Sequence, residues 1–304
     1  MIDHVHDPRD DVDAALTEAW QAHRRRVLDV AYRMLGTLSD AEDVASETFA
    51  RLVARGLTGI DDLRGWLVSV TVRLCLDRMR SAEVRRRAYV GPWLPEPIVD
   101  RRGDSQDPAD RVTLDDTIRM ALMVVLERLT PAERSVFVLS DVFDMNFTEI
   151  ADMVGRTPAA CRQLAVRARA HIKSDEPRHL VATRDEARPV AEAFARACAS
   201  GQLHDLLAVL HPAVSGDFDS AGVIPGAPLS PVSGRNHVAA VLGSAFAGQE
   251  ADFVVADING YPGVAVYRGD TLAAVIALET LDGTVIAIYG IGNPEKLTRT
   301  RHPT

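Results

Sequence analysis

The segment FTEIADMVGRTPAACRQL, Phe147 to Leu164, constrains the chain more tightly than any other stretch. Two short helices cross closely only if a small residue sits at the contact, a residue tolerant of positive φ makes the turn, and apolar side chains tie the pair together. Ala151, Gly155, and the set Ile150, Val154, Cys161 and Leu164 stand at those places in register. Thr157 is placed to cap the second helix, and Pro158 takes its first position, where a missing N–H costs nothing. The pattern predicts a helix-turn-helix. Its second helix presents Ala159, Arg162, Gln163 and Val166 outward, with Arg156, Arg167, Arg169 and Lys173 around them. Arginine and glutamine make paired hydrogen bonds to guanine and adenine edges in the major groove, and the flanking cations suit phosphates. An αα-hairpin with a solvated basic face is the structural alternative.

Upstream, from about Val12 to Arg87, apolar residues recur at helical spacing in three blocks: Leu16 to Leu35, Val44 to Val53, and Leu63 to Leu74. Gly36 and the Gly56–Gly59 stretch divide them, with Ser39 expected as the N-cap of the middle helix. That helix opens acidic, with Asp40, Glu42, Asp43 and Glu47; carboxylates there favour the helix dipole and would equally suit a basic protein partner. The third block carries seven arginines (64, 73, 78, 80, 85, 86 and 87) against Asp77 and Glu83. A basic helix end of this kind can hold a nucleic-acid backbone or simply complement the dipole, and Trp66 can stack on a base or fill the core.

A segment punctuated by proline and glycine follows, Gly91 to Pro108, and reads as a linker. Helical spacing resumes at Leu114, Ile118, Leu122, Val125, Leu126 and Leu129, and TPAER brings a capping box of Thr130 with Glu133, Pro131 between them at the first helical position. After SDEPRH (Ser174 to His179) the character changes. A helix is expected at about Asp185 to Cys198 and another near Asn236 to Phe246. Three β-rich runs follow, Asp252–Ile258, Gly263–Leu278 and Thr284–Ile291, with turns at Arg268-Gly269-Asp270 and Asp282-Gly283. The expected organisation is therefore multidomain, an all-α half followed by an α+β domain.

Charge sharpens this division. The net charge of −9 argues, taken whole, against a protein that merely coats nucleic acid. Residues 179–304 hold 8 basic against 13 acidic side chains, whereas Arg156 to Lys173 has five cations and no acid. The average hides two cationic helices, and the acid elsewhere predicts weak DNA binding by the chain alone. Cys75, Cys161 and Cys198 lie far apart with no C-x-x-C pair, which predicts small core residues in a reducing compartment and no metal site. The N-terminus lacks the order of a signal peptide, and the longest apolar run, Leu272 to Leu278, is strand length; no membrane association and a cytoplasmic location are expected.

Acidic helix, tryptophan-containing basic helix, linker, TPAER and helix-turn-helix, in that order, resemble the extracytoplasmic-function (ECF) sigma factors over roughly Leu16 to Lys173. The resemblance implies two all-α sigma domains: region 2 at 12–88 and region 4 at 113–175, joined by a linker at 89–112. It implies that Asp40, Glu42, Asp43, Glu47 and Phe49 face core RNA polymerase. Asp61, Asp62, Leu63 and Arg64 would form the loop that captures the −10 element, with Arg73, Arg78 and Arg80 on the strand beyond. Arg156, Thr157, Arg162, Gln163, Arg167 and Arg169 would read or grip promoter DNA at −35. The family often has Asn where Arg73 stands.

The motifs YVGPWLPEP (Tyr89 to Pro97), PVSGRNHVA (Pro231 to Ala239) and NPEKL (Asn293 to Leu297) resemble the ECF subgroup with a fused SnoaL-like domain, an α+β cone with a curved mixed sheet, here placed at 183–304. That likeness implies regulation by the extension, with Trp93, Leu94 and Pro95 near Asn293, Pro294, Glu295, Lys296 and Leu297, and no separate anti-sigma factor. Members often carry Asp-Gly-Gly-Gly near the place where this chain has Asp217-Phe218-Asp219-Ser220. The SnoaL-like fold also hosts enzymes. His211, Asp217, Asp219, His237 and Asp257 are available by type, yet no spacing singles out an acid and a base, so no catalysis and no cofactor are expected, with a small-molecule ligand in the C-terminal domain as a candidate partner. His211, ahead of Pro212, reads as a turn residue. Two other readings stay open: a ligand-sensing one-component helix-turn-helix regulator, and a SnoaL-type enzyme with a DNA-binding appendage.

Overall fold

A computed structural model of the protein describes residues 8–87, 89–100, 118–174, 182–246 and 250–298. The distal linker (101–112), Leu114, most of the SDEPRH segment and the side chains of Arg85 to Arg87 lie outside the described residues. The chain forms two compact units, one built from residues up to Ser81 with Thr130–Ala168, the other from Ala82–Leu129 with Arg169 onward.

In the first unit α1 (Pro8–Leu35), α2 (Leu38–Arg55) and α3 (Leu63–Arg87) bury the three apolar stripes expected of them. Leu16, Trp20, Val27, Leu28, Ala45, Leu52 and Leu67 form the core, and Trp66 packs against it. Gly36 takes φ 77°, the left-handed turn that lets α2 fold back, and the N-cap is Thr37 rather than Ser39, which lies inside the helix. The Thr37 hydroxyl donates to the Asp40 carboxylate at 2.6 Å.

Downstream, α5 (Pro131–Phe137) starts with both hydrogen bonds of the Thr130–Glu133 capping box, as its sequence demands. One π-helical turn (Val138–Val142) ends it, and α6 (Phe147–Val154) and α7 (Pro158–Ser174) form the helix-turn-helix. Gly155 adopts the left-handed conformation between them at φ 67°. Ile150, Ala151 and Cys161 are buried at the crossing; Val154 and Leu164 are only half-buried, and Met153 and Ala165 complete the contact. α5 and the π-helical turn pack on the bundle. Arg134, 1% exposed, donates through Nε to the Arg33 carbonyl at 2.8 Å, and the Arg26 guanidinium lies 4.8 Å above the Phe143 ring.

Among the described residues the second unit holds a seven-stranded mixed sheet. Its strands are β1 (Val99–Asp100), β2 (Leu210–Asp219), β3 (Val232–Ser233), β4 (Asp252–Ile258), β5 (Tyr261–Arg268), β6 (Thr271–Leu281) and β7 (Thr284–Ile291), in the order β1-β4-β5-β6-β7-β2-β3. All neighbours are antiparallel except β2 and β7, and the register shifts within β2/β7, β5/β6 and β6/β7, irregularities that bend a sheet. Helices α8 (Arg184–Ser200), α9 (Leu203–Val209) and α10 (Arg235–Phe246) cover one face, where Phe194, Leu242, Val264, Val266, Ile276, Leu278 and Ile288 form the core. Strand β2 went unforeseen: His211 lies on it and not in a turn. Phe218 faces the helices, and its ring fills the space over Gly216 and Gly290 that a Cβ would need.

The opposite face is buried too, at Val275, Ala277, Tyr289 and Ile291. The proximal linker lies against it. Ile98 and Asn259 exchange backbone and side-chain hydrogen bonds there, and β1 adds an edge strand beside β4. The short α4 (Met120–Leu126) belongs to this unit, with every residue but Leu122 buried.

Candidate functional site

The candidate recognition surface starts from α7. Thr157 accepts from the Ala160 N–H at 3.2 Å and fixes the start of the helix, and Asn146 caps α6 by accepting from Thr148 and Glu149. Cys161, Ala165 and Ala168 point inward. Arg156, Thr157, Arg162, Gln163, Arg167 and Arg169 are all exposed, so five donors and one capping hydroxyl stand on or beside the outward face. Burial raises the Cys161 thiol, which leaves it an uncharged core group.

Residues expected at −10 divide by environment. Asp61, Arg64, Arg73 and Arg80 are exposed, the last paired with Asp77 at 3.0 Å. Asp62 accepts from the Gly65 N–H at 3.0 Å and thereby caps α3; a Cβ on Gly65 would stand 2.3 Å from that carboxylate, so the glycine makes room for the cap. Leu63 packs on the bundle core. Arg78 is half-buried and donates to the Asp40 carbonyl at 2.8 Å, with Glu47 at 3.5 Å, which ties α3 to the acidic helix.

On α2, Asp43 is exposed and Asp40, Glu42 and Glu47 are half-buried, Glu47 also pairing with Arg51 at 2.8 Å. Phe49 stacks on Trp20 with centroids 5.1 Å apart and supports the helix from within. Asp62, Arg64 and Gly65 share the wall of a cavity of about 440 Å³ with Arg26, Phe143, Asn146, Glu149 and Met153 of the same unit.

In the second unit the two motifs flagged by sequence meet on a residue that had been set aside. The Asp219 carboxylate, 0% exposed, accepts from the Leu94 N–H at 2.9 Å, Lys296 Nζ at 2.6 Å, the Ala221 N–H at 3.2 Å and the Tyr89 hydroxyl. Lys296 also donates to the Leu94 carbonyl, and its ammonium stands 4.0 Å from the Trp93 ring centroid. Asn293 donates to the Tyr89 oxygen at 2.9 Å, and its own carbonyl accepts from the Glu295 N–H. Burial and then the Asp219 carboxylate push the Tyr89 phenol well up, so it stays a donor. Leu94, Pro95 and Leu297 are buried; Pro294 is exposed. A second anchor joins α4 to the sheet. The Arg119 guanidinium lies 4.0 Å above the Tyr261 ring and 3.9 Å from Glu279, whose carboxyl is pushed up to about 7 by burial, Arg119 partly opposing.

Comparison with known proteins decides the family. Residues 19–85 match Sigma-70 region 2 and residues 119–172 match Sigma-70 region 4. The chain is 38% identical to the probable ECF RNA polymerase sigma factor SigI of Mycobacterium tuberculosis over 97% of both proteins. The chain belongs to the ECF RNA polymerase sigma factors. This sigma factor is also 38% identical to SigJ of M. tuberculosis over 92% of each chain. The crystal structure of SigJ superimposes with a TM-score of 0.71 at 34% identity, covering 93% of this chain and 98% of that one. The match runs through both sigma regions and the fused α+β domain, and a one-component regulator would have no use for region 2. No described helix is long and apolar enough to cross a membrane, and no group of three potential metal-binding side chains occurs among the described residues.

Sequence reasoning named the outer face of α7 and both halves of the linker grip, but it missed Asp219 as their hub, Tyr89 as its partner and the Arg119–Glu279 anchor. The signals were present: an acid on an alternating strand position, and an arginine ahead of an apolar helix.

Proposed function

We propose that this sigma factor binds core RNA polymerase through the acidic face of α2, with Asp40, Glu42, Asp43 and Glu47 in contact and Phe49 holding the helix in place. The −10 element is captured by the loop Asp61 to Arg64, with Arg73 and Arg80 on the strand and Arg78 bracing α3 against α2. Arg156, Thr157, Arg162, Gln163, Arg167 and Arg169 engage the −35 duplex. The C-terminal domain controls initiation by holding the linker between the two sigma regions, a regulation within one cytoplasmic chain that needs no separate anti-sigma factor.

The observation that carries the regulatory reading is the buried Asp219 carboxylate, which collects Tyr89, Leu94 and Lys296 at one point. Catalysis is not part of the proposal. His237 is exposed, and Asp257 faces Arg184 and Arg188 on the opposite side of the sheet from Asp219, so these three groups do not converge as an acid and a base. The helix-covered side, where a small ligand would sit, is filled with apolar side chains.

Run-off transcription with core polymerase and full-length Asp219→Asn tests the reading. Initiation from a promoter that the wild type uses should change in rate or salt dependence, and initiation identical to wild type would refute control through this grip.

A further inference from the structure

On α7 the residues Ala159, Gln163, Val166 and Ala170 follow one another at i, i+4, i+7 and i+11, and all four are exposed. They form the line opposite Cys161, Ala165 and Ala168, the residues that seat the helix. Arg162 and Arg169 border this line on one side and Arg167 on the other. When a helix enters a major groove, its outermost line goes deepest and its arginine borders meet the phosphates and the groove edges.

Three of the four residues on that line are apolar, and Val166 is 63% exposed. Single exposed valines are common on protein surfaces. Here the position decides, because Val166 stands beside Gln163, a natural reader of adenine. Base-pair edges in the major groove offer donors and acceptors to every polar side chain, and one apolar group only, the C5-methyl of thymine. Val166 is displaced from Gln163 by about 4.5 Å along the helix, slightly more than one base-pair step.

We propose that Val166 is a specificity-determining residue that reads a thymine methyl group in the −35 element, next to the base pair that Gln163 reads. The proposal rests on α7 being the −35 reader, and its test separates the two ideas. Holoenzyme assembled from core polymerase and the full chain selects promoters from a library randomised across −35. The selected promoter is rebuilt with deoxyuridine in place of each −35 thymine in turn, on either strand, which removes only the methyl group.

Wild-type initiation is expected to fall about fourfold at one or two adjacent positions, the factor that burying one methyl-sized group supplies. Val166→Ser, a change at an exposed site, should initiate equally from thymine and uracil templates there, while Val166→Thr, which keeps one methyl group, should retain part of the preference. Uracil tolerated by the wild type at every position, a selected element without A·T pairs, or a thymine preference that survives in Val166→Ser would each overturn the role of Val166. A library that returns no −35 preference would overturn the reading of α7 itself.

Discussion

Lys296 donates to the Asp219 carboxylate at 2.6 Å with both side chains sealed from solvent, 8% and 0% exposed. A buried ion pair contributes little net stability when complete, but it becomes costly when one partner is removed. Lys296→Met should therefore lower the unfolding free energy by about 3 kcal/mol, because the carboxylate keeps only the Tyr89, Leu94 and Ala221 donors. In a double-mutant cycle Lys296→Met with Asp219→Asn should cost clearly less than the sum of the single changes. Additive denaturation midpoints would contradict the coupling.

Glu279 makes the stability of the second unit depend on pH. Its folded carboxyl titrates at about 7, above the ordinary glutamate range. Between that ordinary range and about pH 7 the folded chain holds a proton that the unfolded chain has released. Stability is therefore expected to decline as pH rises through this window and to level off above it, by about 3 kcal/mol in all. Glu279→Gln should be the more stable protein at pH 8 and should flatten the curve. Chemical denaturation at a series of pH values is the check, and a wild type that gains stability from pH 5 to 7.5 would exclude this assignment.

Gly290→Ala should destabilise the C-terminal domain. Its new Cβ would stand 2.7 Å from Cδ1 of the Phe218 ring, and a well-packed core yields to such an insertion at about 1–3 kcal/mol. Combining it with Phe218→Leu should recover part of the loss. Thermal unfolding of the two variants would show it, and an unaffected Gly290→Ala would mean that the ring moves freely.

Arg162→Ala should weaken −35 recognition by about 1–3 kcal/mol, the contribution of one paired contact to a base, without altering the fold, since its side chain is exposed. Holoenzyme footprints on native and scrambled −35 sequences measure this. A footprint indifferent to the −35 sequence in both proteins would contradict it.

What could be read from the sequence was what local pattern encodes. The capping box at Thr130 and Glu133 closes through residues three apart, and strands Asp252–Ile258 and Thr284–Ile291 are short apolar runs rich in β-branched residues, so each is visible in a short window. Strand β2 was not legible, because Ser215, Asp217 and Asp219 interrupt its apolar residues and His211-Pro212 opens it like a turn. Asp219 among them meets the linker, so the burial that explains it comes from elsewhere in the chain. Asp219 reaches Tyr89 across 130 residues and Lys296 across 77, and no local periodicity records pairings of that span.

The cavity shared by Asp62, Arg64, Asn146 and Glu149 carries a consequence measured along DNA. Elements centred at −10 and −35 are separated by about 25 base pairs, roughly 85 Å of duplex. A cavity of about 440 Å³ brings the loop assigned to the first element and the hairpin assigned to the second within a few side-chain lengths of each other. If the loop and the hairpin engage the two elements as proposed, one molecule in this arrangement would not reach both on a straight duplex. The segment from α5 onward would then have to leave the bundle, exposing the Phe143 ring that Arg26 and Arg33 now cover.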